Sequence, residues 1–140
     1  MVDISHEIKI KATPDHVFAA LTKVDELKAW HSGHVSGHDR VGGVLHIEGS
    51  GKPGFDWKVT ELSPPKRVGW ICTAGPGDSV GTTVLFELSL ADQGRTLVEC
   101  THGGWPGTHG NYRKCNTLWG VLLHHLRQYV ETGKPAPAFP

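Results

Sequence analysis

The segment Asn111–Thr132, "NYRKCNTLWGVLLHHLRQYVET", limits the possible folds of this chain more than any other stretch. At ~100° per residue, Tyr112, Cys115, Leu118, Trp119, Leu122, Leu123, Leu126, Tyr129 and Val130 fall in one stripe about 140° wide. Arg113, Thr117, His124, Arg127, Gln128 and Glu131 fall opposite. A helix with a full polar face is no membrane span, and this stripe is wider than a coiled-coil seam. It has to lie across something broad, such as a sheet. At ~1.5 Å per residue its length of about 33 Å crosses several strands. Gly133 suits the C-cap, with Pro135 just beyond. Gly120 costs a helix on the order of 1 kcal/mol, and the expected reason is a neighbouring backbone passing close. His124 and His125 diverge by ~100° and form a poor metal pair.

The sheet is legible upstream. "ISHEIKIKA" places Ile4, His6, Ile8 and Ile10 on one face, the pattern of a half-buried strand. Thr13 then reads as an N-cap, Pro14 as the first helical residue and Asp15 as a favourable charge at the positive helix end. Val17, Phe18, Leu21 and Val24 recur at helical spacing, and Leu27 and Trp30 suggest a second short helix. From residue 44 the period returns to two. "VLHIE" directs Leu45 and Ile47 one way, "FDWKVTEL" Phe55, Trp57 and Val59, and "RVGWICT" adds a strand. "TVLFELSL" directs Val84, Phe86, Leu88 and Leu90 inward, "DQGR" is a hairpin turn, and "TLVECTH" carries Val98, Cys100 and His102 on one face. "HSGHVSGH" reads as a loop from its Ser and Gly content. The order is strand, two helices, five successive strands and a long helix, with a short proline-rich tail. Short links between the later strands imply an antiparallel sheet.

The totals exclude several classes. A chain of 140 residues fits a single domain spanning 1–140. Lys+Arg and Asp+Glu are equal at 14 each, so no global field draws nucleic acid or an anionic membrane. Cys72, Cys100 and Cys115 form no CxxC pair and read as free thiols in a reducing, cytoplasmic compartment. The N-terminus has no apolar leader, and no apolar run approaches the roughly 20 residues of a membrane span. No nucleophile elbow, HExxH or phosphate-binding glycine loop appears, so no cofactor is expected.

"IKIKATPDHVFAALTKVDELKAW", "DRVGG", "ELSPPKRVGW", "TVLFELSLADQGRTLVECTHGGW" and "LWGVLLHHLRQYVETGKP" follow one another along nearly the whole chain. In these segments the sequence resembles the START-like (SRPBCC) superfamily, in the branch of homologues of the heat-shock-protein-90 ATPase activator. The resemblance implies an α+β helix-grip fold. A curved antiparallel sheet of about six strands would wrap round the long C-terminal helix, with two short helices after the first strand. It also implies an apolar cavity between sheet and helix for a lipid, aromatic or polyketide-like ligand. Some relatives are cyclases or hydrolases, so an enzyme using the same cavity is one alternative, and a chaperone-associated protein like the heat-shock-protein-90 ATPase activator is the other. The likeness is to the later domain of the full-length activator, without its chaperone-contacting N-terminal domain, so chaperone binding is not expected.

Five tryptophans give the chain unusual aromatic surface. The residues expected to line a cavity are Trp30, Trp57, Trp70, Phe86, Cys100, His102, Trp119, Leu122 and Leu123, of which Trp57 and Trp119 are the best placed. Each also suits an ordinary core, and Cys100 and Cys115 suit small apolar fillers. His102 and Glu61 share the inward parity of their strands and are the candidates for acid–base work. His31, His34 and His38, with or without His109, make thin evidence for zinc because no carboxylate supports them. An exposed strand edge leaves monomer and homodimer both open.

Overall fold

A computed structural model describes residues 1–49 and 52–140. Strand β1 (Val2–Ile10) is followed by helices α1 (Pro14–Thr22) and α2 (Val24–Trp30). Strands β2 (His34–Gly37), β3 (Val44–Gly49), β4 (Lys52–Ser63), β5 (Arg67–Ala74), β6 (Thr83–Leu90) and β7 (Thr96–Trp105) come next, and helix α3 (Asn111–Thr132) ends the fold. The strands form one antiparallel sheet in the order β1-β7-β6-β5-β4-β3-β2. This is an α+β helix-grip architecture, with seven strands rather than six. The additional strand is β2, inside "HSGHVSGH". Its Ser and Gly residues lower its strand propensity, but pairing with β3 and burial of Val35 fix it at the sheet edge.

Local chemistry accounts for the element ends. Thr13 Oγ1 accepts the His16 backbone N–H at 3.3 Å, and Pro14 opens α1 where no N–H is needed. Gly133 closes α3 in the left-handed conformation, φ 74°. The inward stripe of α3 is as its spacing predicts: Cys115, Trp119, Leu122, Leu123, Leu126 and Val130 are buried, while Tyr112, Leu118 and Tyr129 are half-buried. The inward rows of β3 to β7 form the opposite wall, with Leu45, Trp57, Val68, Phe86 and Val98 among them.

Two irregularities re-aim side chains that simple alternation misplaces. A register shift between Val59 and Glu61 on β4 turns Leu62 toward the core and leaves Glu61 on the surface. On β7, Gly104 has φ +85°, and the offset between the Val2–Trp105 and Ile4–His102 pairs brings Trp105 inward. Trp105 therefore ends a strand and is fully buried, instead of standing in a loop. Leu90 differs in the other direction. It is 80% exposed, because the alternating pattern of β6 runs one step past the covered part of the sheet.

Gly120 also departs from expectation. It is exposed, and a Cβ built there meets nothing within 4 Å, so no backbone passes close. Replacing it removes a helix-interior glycine without a clash. Gly120→Ala should therefore raise stability by about 0.5–1 kcal/mol, read as a higher midpoint in urea or thermal denaturation. An unchanged or lower midpoint would show a packing role for the bare backbone.

Candidate functional site

Between the sheet and the first half of α3 lies a largely apolar cavity of about 200 Å³. Ile47 of β3, Phe55 and Trp57 of β4 and His102 of β7 form its sheet side. Cys115, Leu118, Trp119 and Leu122 of α3 face them, and His31 and Phe139 close one end. The Phe55 and Trp57 rings stack at 5.4 Å and 19°, giving the cavity a flat aromatic wall. Strands β3 and β4 approach closely here. A Cβ at Gly54 would sit 1.7 Å from the Ile47 carbonyl oxygen, so only glycine fits.

Of the expected lining residues, Trp57, His102, Trp119 and Leu122 reach this cavity. Trp30, Trp70, Phe86, Cys100 and Leu123 do not line it; they pack in the continuous core around it. Trp30 donates its indole N–H to the Ala20 carbonyl at 2.8 Å, tying α2 to α1. Trp70 and Phe86 meet edge to face at 5.3 Å, and Phe86 meets Trp119 at 5.7 Å. Burial pushes the Cys72 and Cys115 thiols up to about 11 and raises Cys100 as well, so all three are protonated and unreactive near neutrality.

His102 is 1% exposed and engaged on both sides. The Trp119 indole N–H donates to its Nδ1 at 3.0 Å, and its Nε2 lies 2.8 Å from Thr82 Oγ1. Thr82 in turn donates to the Ser79 carbonyl at 2.6 Å. An indole can only donate and a carbonyl can only accept, so every proton in the chain is assigned. The imidazole carries its hydrogen on Nε2 and its lone pair on Nδ1. A second proton would set two N–H groups against each other, and burial pushes the pKa down to about 4. His102 thus has no free lone pair with which to act as a base. Glu61 is outside the cavity altogether: it pairs with Arg67 at 3.1 Å and accepts from Ser63 at 2.8 Å. Neither acid–base candidate is available to a molecule in the cavity.

His31 contrasts with His102. It follows α2, is 8% exposed, and its Nδ1 is buried with no hydrogen-bond partner. Its ring lies 5.2 Å from Trp30 and 6.4 Å from Phe139. His34 and His38 are exposed, apart from it, and among the described residues no three His, Cys, Asp or Glu side chains converge on a metal position.

Phe139 arrives by a route that no periodicity announced. The tail after α3 folds back along the end of α2, where Ala136, Ala138 and Phe139 donate backbone N–H groups to the carbonyls of Ala29, Trp30 and His31. These are carbonyls that a helix C-terminus leaves unsatisfied, which explains the docking. His125 fastens the same tail by donating from Nδ1 to the Ala136 carbonyl at 2.7 Å. Beyond Leu118 the cavity opens into a wider cleft that shares Ile47, Phe55 and Phe139 with it and is bordered by Ser36, His46, Asp56, Asn111 and Lys114.

The family model described as "Activator of Hsp90 ATPase homolog 1-like protein" matches residues 11–131. The chain belongs to that family. Its fold is similar to the solution structure of the Aha1 dimer from Colwellia psychrerythraea, at 38% identity and TM-score 0.86, covering 96% of this chain and 99% of that one. Protein MLL2253 from Mesorhizobium loti shares the fold at 20% identity and TM-score 0.80, covering 91% of this chain and 95% of that one. CalU16 from Micromonospora echinospora does so at 20% identity and TM-score 0.75, covering 96% and 76%. No curated protein matches.

The two buried histidines set an acid limit on the fold. His31, like His102, is held by burial at about 4 against an ordinary value of 6.5. The folded chain keeps both neutral, whereas the unfolded chain takes up protons below about 6.5. Stability should therefore be level above that pH and fall as pH drops toward 4, by up to roughly 3 kcal/mol per histidine. Urea denaturation at pH 7, 6 and 5 checks this, and His31→Phe should lose about half of the slope. A slope unchanged by that substitution would mean that His31 titrates alike in the folded and unfolded chain.

Proposed function

We propose that this protein binds a hydrophobic small molecule in the cavity between its sheet and α3. The observation that carries the reading is the cavity itself. It is enclosed by Trp57, Trp119, Phe55, Leu122 and their neighbours, in a family whose fold suits such a role. Binding is favoured over catalysis because His102 is consumed by protein hydrogen bonds and Glu61 faces solvent with Arg67. The family's name refers to Hsp90 ATPase activation, but no feature of the cavity calls for a chaperone. Three buried free cysteines suit a reducing cytoplasm, and no helix is long and apolar enough to cross a membrane.

Native mass spectrometry of gently purified protein should reveal a small mass that denaturation releases. Naphthalene, added as a probe, should bind the emptied protein and quench its tryptophan emission. Leu118→Trp, which fills the mouth from a half-buried position, should abolish both effects with little change in folding. Retention of the probe by this variant would place binding elsewhere.

The Colwellia relative, solved as a dimer, supports a homodimer for this chain as well. Light scattering during gel filtration should give twice the 15.2 kDa chain mass; a single-chain mass at micromolar concentration would exclude it.

A further inference from the structure

We infer that the cavity takes a neutral aromatic molecule of one or two fused rings bearing a single hydroxyl or N–H group, and that His31 holds it through that group. The inference rests on the binding reading above and adds the ligand's chemistry to it.

Size sets the ring count. At the packing density of protein interiors, a cavity of about 200 Å³ accommodates roughly 150 Å³ of molecule, somewhat more than the single benzene that fills a 150 Å³ hole. Shape comes from the walls. The stacked Phe55 and Trp57 rings on one side and Trp119 on the other favour a flat, polarizable guest.

Polarity follows from elimination. Trp119 has given its N–H to His102, and His102 has given its own to Thr82. The three buried thiols are protonated weak donors. Glu48 contributes to the rim but is exposed. Among the described side chains of the wall, the indole of Trp57 brings a further N–H, and His31 is the one with a buried nitrogen that has no partner.

A buried, unpaired polar nitrogen in a native protein needs an explanation. A ligand is the one the position offers. A half-turn about Cβ–Cγ exchanges nitrogen for carbon within the same ring volume, so either ring edge can present nitrogen to the cavity. A neutral imidazole offers one N–H and one lone pair, which a single hydroxyl complements. An anion would meet no positive charge in the wall, and a cation would meet only the exposed Glu48 carboxylate at the rim; either would lose its water inside, which favours a neutral molecule. Burial keeps His31 itself neutral near pH 7.

Calorimetric titration of the emptied protein with 2-naphthol and with naphthalene tests the assignment. The wild type should prefer 2-naphthol by about tenfold or more. His31→Phe should bring that preference to within about twofold. Equal affinities in the wild type, or a preference that survives in His31→Phe, would overturn the role of His31 while leaving the cavity reading intact. Failure of both compounds to bind would overturn the cavity reading itself. A second measurement does not depend on the variant folding. In nitrogen-15 spectra of the wild type, 2-naphthol should displace a His31 ring resonance well beyond the ring-current change that naphthalene produces. Equal displacement by the two compounds would also overturn the assignment.

Discussion

The neutrality of one buried imidazole is a condition for the way α3 lies on the sheet. His102 accepts from Trp119 of the helix and donates to Thr82 beside the sheet, and the chain ends on the Ser79 carbonyl. Because each group has a single possible role, the chain has a direction and one register. Apolar contacts alone would let a helix slide or rotate over a smooth surface at modest cost. A directed hydrogen-bond chain at the centre of those contacts removes that freedom. It holds the Trp119 indole against Phe86 and His102 at one edge of the cavity.

The same chain explains why the cavity is so apolar. Two of its lining residues, His102 and Trp119, spend their hydrogen-bonding capacity on each other and on Thr82. Most of the remaining wall is ring faces and aliphatic carbons, with His31 at one end. His31 and His102 share a residue type, a depth and a downward pKa shift, and differ only in whether a partner is present. That difference separates a histidine that positions the framework from one that is free to recognise something.

Much of this is legible in the amino-acid sequence. The α3 stripe, the Thr13–Pro14 start and most of the strand alternation are local signals, and the structure follows them except at residues such as Leu90. The inward placement of Trp57 and Trp119 followed from the same periods. Where the reading stopped, the cause was non-local. Glu61 and Leu62 exchange faces at an irregularity that alternation does not encode, and Trp105 turns inward on a positive-φ glycine. Strand β2 exists because β3 offers it an edge, against its own composition. Phe139 reaches the cavity through backbone hydrogen bonds to α2, which leave no trace in side-chain pattern. His31 drew attention for its spacing to His34 and His38, whereas what distinguishes it is burial beside a void.

The docked tail also bears on how the molecule opens. Residues 136–139 are held by a handful of backbone hydrogen bonds, the His125 contact and one aromatic ring, while the sheet is secured by seven paired strands. Segments with so few contacts detach at a small fraction of the global unfolding free energy. Their release would bare the His31 end of the cavity and leave α3, the sheet and the His102 chain in place. Opening of that end is then a local event with its own timescale, separate from the lifetime of the fold.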